Sequence, residues 1–78
     1  MRLMLDPDVN AGNIFLEFPP RANRTLVLDR HTVLTLHDDV VTIIEVFNLD
    51  AWGTPFDDAA AQRVVAWIHE RLAERDAS

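Results

Sequence analysis

The turn signals in the first 50 residues constrain the fold of this chain more than any other feature. Short apolar runs alternate with connections of two or three residues, such as Asp29-Arg30-His31 and Asp38-Asp39. Strands that are joined by such short connections are antiparallel neighbours, because a parallel pair needs a crossover of about a dozen residues or more. The pattern therefore predicts an antiparallel β-meander of four to five strands.

A helix is predicted after the strands. The predicted strands are Arg2–Leu5, Asn13–Phe18, Thr25–Leu28, Thr32–His37 and Val40–Leu49. Thr54 as the N-cap, Pro55 at the first helical position and Asp57 in the first turn predict the start of the helix. Apolar residues at three- and four-residue spacing continue the pattern to Arg75. We expect one α+β domain over residues 1–78, with the helix covering one face of the sheet.

Alternation along the strands divides the apolar residues between two faces. A two-residue turn at Asp38-Asp39 predicts which residues of the last two strands face each other. The predicted pairs are Leu36 with Val41, Leu34 with Ile43, and Thr32 with Glu45. One helix cannot cover both faces, and an exposed apolar patch usually marks an interface. The predicted interface residues are Phe15, Val27, Val33, Ile44 and Val46.

The size and composition of the chain favour a homodimer. A chain of 78 residues buries a small core, and small domains commonly gain stability from disulfides, a metal or a second subunit. The absence of cysteine excludes disulfides and thiolate metal sites. A second copy that covers the free sheet face is therefore the expected partner, and another protein is the alternative.

The charge and hydropathy of the chain argue against two other kinds of partner. Thirteen acidic and seven basic residues give a net charge of −6, which disfavours nucleic acid and anionic membrane surfaces. No apolar window approaches the roughly 20 residues of a membrane span. The apolar stretch before Asp6 and Pro7 is too short for a signal peptide. We therefore expect a cytoplasmic protein.

Glu45 is the one charged residue in the apolar run TIIEVF, and three interpretations of it stay open. It is a structural anchor, a solvent-exposed residue, or a catalytic carboxylate. In the predicted register Glu45 lies opposite Thr32 and diagonal to Arg30, within reach of a long side chain. The sequence favours a structural anchor that consists of Glu45, Arg30 and Thr32, because a buried carboxylate needs such partners.

A catalytic or metal-binding role has weaker support. Catalysis by Glu45 requires a second titratable group in a cleft, for which Asp29 and His31 at the nearby turn are the candidates. His31, His37 and Asp38 offer metal ligands, but without a recognised ligand spacing. We predict no catalytic, cofactor-binding or metal-binding residue and expect no cofactor. The alternatives are a small enzyme or metal-binding protein that uses Glu45 with Asp29 and His31, or an acidic mimic of nucleic acid.

Two stretches, DPDVNAGNIFLEF and TLVLDRHTVLTLHDDVVTIIEVFNLDAW, resemble a small bacterial family known as domain of unknown function 2283. The family has an aspartate-rich first turn, an LD turn and a closing strand that contains a glutamate. The matching positions are Asp6, Ile14–Phe18, Leu28-Asp29, Ile44-Glu45-Val46 and Ala51. Gly12, and Thr42 or Ile43, depart from the pattern. The resemblance implies a fold and a recurring structural role for Glu45, but no activity. The sequence as a whole predicts a non-enzymatic, acidic, self-associating protein-interaction domain.

Overall fold

The computed structural model describes residues 1–77 and shows a five-stranded sheet with one helix packed on it. The elements are β1 (Arg2–Asp6), β2 (Ala11–Phe15), β3 (Arg24–Asp29), β4 (Thr32–His37), β5 (Val40–Val46) and α1 (Asp58–Ala77), with 3₁₀ turns at Pro7–Val9 and Leu49–Ala51. All paired strands are antiparallel, which confirms the predicted α+β class. No helix within residues 1–77 is long and apolar enough to cross a membrane.

The strand order differs from a simple meander at one place. The order is β1-β2-β5-β4-β3, so β2 lies beside β5 and not beside β3. The hairpins β1–β2, β3–β4 and β4–β5 connect consecutive strands as predicted, whereas residues 16–23 carry the chain from one side of β5 to the far edge of the sheet. The prediction misses this because alternation indicates which residues face the core, but not which strands are neighbours.

A β-bulge at Thr42 interrupts the pairing of β4 and β5. Leu36 pairs with Val41, as predicted, whereas Thr35 pairs with Ile43, so Thr42 is an extra residue in β5. From this point the alternation of β5 is shifted by one residue. The observed pairs that follow are Leu34 with Ile44, Val33 with Glu45, and Thr32 with Val46. The predicted pairs Leu34–Ile43 and Thr32–Glu45 are therefore wrong.

The shift exchanges the two faces over the second half of β5. Ile44 and Val46 lie under α1 and are 0% and 1% exposed. Their assignment to an interface on the free face is therefore wrong. Ile43 and Glu45 lie on the side away from α1 instead. A one-residue slip has this effect because successive side chains of a strand point to opposite faces.

Thr42 also connects the bulge to the segment that follows β2. Its hydroxyl donates a hydrogen bond to the carbonyl oxygen of Arg21 at 2.8 Å, and its side chain is fully buried. Its carbonyl oxygen accepts hydrogen bonds from the backbone N–H groups of Leu16 at 2.9 Å and Glu17 at 3.4 Å. One residue thereby holds both ends of the connection between β2 and β3.

The core lies between the sheet and α1. It consists of Ile14, Leu34, Leu36, Ile44, Val46, Leu49, Phe56, Ala60, Ala61, Val64 and Ile68. The apolar stripe predicted for the helix supplies the last part of this set. Two adjacent alanines at the start of the stripe are fully buried, and their small side chains let the helix approach the sheet closely.

The helix begins three residues later than predicted, at Asp58. The side chain of Asp57 accepts a hydrogen bond from the backbone N–H of Ala60 at 2.9 Å, so Asp57 is the N-cap in place of Thr54. Thr54 and Pro55 belong to the loop before the helix. An aspartate and a threonine both suit an N-cap, and the sequence alone selects the wrong one.

We expect Thr42→Val to lower the free energy of unfolding by about 1–2 kcal/mol, because the carbonyl oxygen of Arg21 loses its donor. Urea denaturation measures this loss. Thr25→Val is the matched control, since Thr25 is exposed on the edge strand β3. Equal losses in the two variants would contradict a special role for the Thr42 hydroxyl.

Candidate functional site

The side of the sheet away from α1, here called the open face, contains two complete rows of five residues. The first row is Arg2, Phe15, Ile43, Thr35 and Thr25, and the second is Met4, Asn13, Glu45, Val33 and Val27. Each row contains one residue from each strand, in the order in which the strands lie. The two rows together contain one arginine and one glutamate, so their side chains have no net formal charge.

The open face exposes most of the large apolar side chains that residues 1–77 leave in solvent. Eight such side chains are exposed, and five of them lie on this face or at its ends: Met4, Phe18, Val27, Val40 and Phe47. An apolar surface of this kind is uncommon on a chain that works alone. The open face is therefore the candidate interaction surface.

An aromatic cluster stands at the end of the first row. The rings of Phe15 and Phe18 make an edge-to-face contact with their centroids 5.8 Å apart. The guanidinium carbon of Arg2 lies 4.1 Å from the centroid of the Phe18 ring, which is cation–π geometry. These contacts hold Phe18 against the sheet even though the side chain is more than half exposed.

Glu45 lies in the middle of the second row, between Asn13 of β2 and Val33 of β4. It is half-buried and, within residues 1–77, its carboxylate has no hydrogen bond or ion pair. Arg30 is exposed and does not reach it, and Thr32 is buried on the helix side. The predicted group of Glu45, Arg30 and Thr32 is therefore not assembled, because the bulge moves Glu45 to the other face.

Three of the predicted interface residues do lie on the open face. Phe15 and Val33 are half-buried near the centre, and Val27 is 65% exposed on the edge strand β3. Their role as contact residues stays a prediction. Ile43 and Glu45 take the places on β5 that the sequence assigned to Ile44 and Val46. The sequence signal that could have revealed the shift of β5 is Thr42, a polar residue inside an apolar run.

An ion pair stands in the connection that follows β2. The Nε atom of Arg21 donates to Oε1 of Glu17 at 2.5 Å, and Nη2 donates to Oε2 at 3.2 Å. This hydrogen bonding lowers the pKa of Glu17 from its usual value of 4.5 and raises the pKa of Arg21. His37 contributes a smaller attraction in the same direction. Both side chains are on the surface, so the pair contributes little to stability.

A second candidate site is a cleft of about 220 Å³ between the turn after β3 and the helix. Its lining residues are Asp29, His31, Thr32, Asn48, Ala51, Trp52 and Trp67, and we call it the tryptophan cleft. The centroids of the two indole rings are 5.6 Å apart, and the rings are tilted by 56°. Both tryptophans are half-buried and pack against the edge of the core.

The polar groups of the tryptophan cleft include hydrogen-bond acceptors on Asp29 and Asn48. One carboxylate oxygen of Asp29 accepts the backbone N–H of His31 at 2.8 Å, which leaves the other oxygen without a hydrogen bond. The Oδ1 atom of Asn48 is buried and has no partner. A buried acceptor without a donor costs roughly 1–3 kcal/mol. The cleft therefore combines a carboxylate oxygen without a protein partner, one buried unsatisfied acceptor and two indole rings.

The residues of the alternative enzyme hypothesis do not meet in one site. Asp29 and His31 line the tryptophan cleft, whereas Glu45 lines a different cleft on the open face together with Met4 and Phe47. His37 contacts Asp38 at 3.5 Å, at the opposite end of β4 from His31. Within residues 1–77, no group of three or more histidine, aspartate or glutamate side chains is arranged to hold a metal ion.

Comparison with protein-family models, with curated proteins and with solved structures finds no match to this chain. The resemblance to domain of unknown function 2283 thus stays a prediction.

We expect Arg21→Gln to raise the pKa of Glu17 toward 4.5, because the charged donor is lost. In the unchanged chain the lowered pKa means that the pair stabilises the fold above pH 4.5, and that this contribution is lost as the pH falls through the pKa of folded Glu17. A carboxyl NMR titration of Glu17 measures the change. Arg24→Gln is the control, because Arg24 pairs with Asp39 at 3.1 Å and should leave Glu17 unaffected.

Proposed function

We propose that this chain is a non-enzymatic protein-interaction module and that the open face of its sheet binds a second copy of the chain. The observation that carries the proposal is the exposure of Met4, Phe18, Val27, Val40 and Phe47 on the open face or at its ends. Removing such apolar surface from water is favourable by about 25 cal/mol per Å², and this gain has to exceed the entropic cost of association. A cytoplasmic location for the module stays a prediction.

The charge distribution supports a second copy as the occupant. The chain has a net charge of −6, so two copies repel each other over most of their surfaces. The two rows of the open face have no net formal charge, since Arg2 and Glu45 balance. Two copies that meet through this face therefore bring their neutral surfaces together and keep most of the acidic residues apart.

The order of the residues in the two rows also supports a second copy of the chain as the partner. Two packed sheets keep their strands within about 30° of each other. If the two-fold axis runs along the strands between β2 and β5, Phe15 of one copy meets Ile43 of the other. About the same axis, Asn13 meets Glu45 and Met4 meets Val33. Apolar residues thus face apolar residues, and the one carboxylate faces an amide.

This arrangement gives Glu45 the hydrogen-bond donor that its own chain does not supply. The side-chain amide of Asn13 in the second copy donates to the carboxylate, and the symmetry repeats the contact on the other side of the axis. Hydrogen bonds to a charged acceptor are stronger than neutral ones. An isolated carboxylate in an apolar contact would be costly. The amide and carboxylate therefore select the register of the two copies.

We expect Met4→Glu to weaken the dimer tenfold or more. The side chain is 57% exposed on the edge strand β1, so the monomer should tolerate the charge. In the dimer the carboxylate would be buried against Val33 of the other copy, and each 1.4 kcal/mol lost is a factor of ten in the dissociation constant. Light scattering over a dilution series measures the constant.

Ala66→Glu is the control for that experiment. Ala66 is exposed on α1, so this variant adds the same charge on the other side of the molecule. It should dissociate only slightly more than the unchanged chain. A chain that is monomeric at every concentration would overturn the proposal, and so would equal weakening by the two variants.

A second prediction concerns the contact between Asn13 and Glu45. Asn13→Asp places a carboxylate against Glu45 of the other copy and should weaken the dimer, because like charges then face each other twice. Adding Glu45→Gln should restore the dimer, since one carboxylate again faces one amide. Sedimentation equilibrium of the single and double variants measures both constants.

Failure of the rescue would contradict the proposed axis. Asn13 and Glu45 are also cross-strand neighbours within one chain, so Asn13→Asp is expected to lower the stability of the monomer somewhat. Urea denaturation at a concentration where the chain is monomeric measures that effect separately. Measurement of the single variant Glu45→Gln completes the double-mutant cycle.

A further inference from the structure

The tryptophan cleft combines a carboxylate, one buried unsatisfied acceptor and two indole rings in a small volume. Asp29 supplies a carboxylate oxygen that has no hydrogen bond, and Asn48 supplies a buried Oδ1 atom without a donor. Thr32 lines the same cleft although its side chain is almost completely buried. A ligand that donates hydrogen bonds suits these acceptors, and the carboxylate favours one with positive charge.

The two indole rings that line the cleft also favour a positively charged ligand. Indole rings attract cations through their π face at distances of up to about 6 Å. The chain already uses this property, because the guanidinium carbon of Arg71 lies 5.6 Å from the centroid of the Trp67 ring. Arg63 donates a hydrogen bond to the backbone carbonyl oxygen of Trp52 at 2.5 Å. Neither arginine lines the cleft, so neither occupies it.

We propose that the tryptophan cleft binds a guanidinium or ammonium group. The cleft has a volume of about 220 Å³. That space suits the end of a basic side chain or a small free cation, but not a folded segment. Asp29 and Asn48 accept the N–H donors of the group, and the indole rings contact its flat or apolar part.

The site is independent of the proposed dimer. Its lining residues come from the turn after β3, the segment after β5 and the helix, whereas the dimer contact uses the two rows of the open face. A monomeric variant such as Met4→Glu should therefore retain the binding activity. The two proposals can fail separately.

Tryptophan fluorescence reports directly on binding at the tryptophan cleft. The chain has two tryptophans and no tyrosine, and both tryptophans line the cleft. We expect N-acetylarginine amide to change the emission in a saturable way, with a midpoint in the millimolar range. N-acetylcitrulline amide has nearly the same shape without the charge and should have at least tenfold weaker affinity. Titration at constant ionic strength removes the general effect of salt.

A third probe distinguishes the source of the cation. Methylguanidinium presents the charged group alone. Binding as tight as that of N-acetylarginine amide would indicate a free small cation as the ligand. Binding that is tenfold weaker would indicate a basic residue within a chain. Both results support a cation site.

Two variants test the contacts. Asp29→Asn retains an acceptor for the backbone N–H of His31, so the turn should stay intact while the charge is lost. It should weaken binding of N-acetylarginine amide about tenfold. Asn48→Leu removes the unsatisfied acceptor and should weaken binding while leaving the thermal unfolding temperature equal or higher.

Three results would overturn the proposal. The first is an emission that does not change, or that changes without saturation. The second is equal affinity for the arginine and citrulline compounds. The third is unchanged affinity in Asp29→Asn when its unfolding temperature equals that of the original chain. Asp50→Asn is the matched control, because Asp50 lies outside the cleft and its loss should leave the affinity unchanged.

Discussion

The hydrogen bonds of Thr42 determine which side of β5 faces the core. Its hydroxyl and its carbonyl oxygen each bind the connection between β2 and β3, and the residue is an unpaired insertion in the strand. Because the insertion shifts the alternation, Ile44 and Val46 enter the core and Glu45 leaves it. Without this bulge the carboxylate would be buried under α1, where no basic residue of the core could neutralise it. The composition of both faces depends on that one residue.

The sequence predicts most of the fold, and the errors have physical causes. Turn chemistry at Asp29-Arg30-His31 and Asp38-Asp39 is local, so the two hairpins and the strand β4 can be predicted within a residue. The bulge at Thr42 cannot be predicted by alternation, which assumes that each residue has one partner across the strand. The pairing of β2 with β5 is also missed, because it joins segments that no local signal connects.

The candidate sites, like the fold, can be predicted only where they depend on residues that are close in the sequence. Phe15, Val27 and Val33 lie upstream of the bulge, and their assignment to the face away from the helix is correct. The tryptophan cleft takes residues from three separate segments, so the sequence offers only the presence of two tryptophans and an aspartate-containing turn. A buried amide without a partner, Asn48, becomes visible only when the segments are assembled.

The position of β5 has a consequence for how this chain folds. The hairpins β1–β2 and β3–β4 each form from neighbouring segments, yet they become one sheet only when β5 inserts between them. The contacts of β5 with β2 join residues 28 to 34 positions apart, for example Phe15 with Ile43 and Gly12 with Val46. Such contacts have a high entropic cost of loop closure, and topologies rich in them fold slowly. During synthesis the edge of β2 therefore stays unpaired until the last strand has emerged, and its exposed N–H and C=O groups are a site of mispairing with other chains.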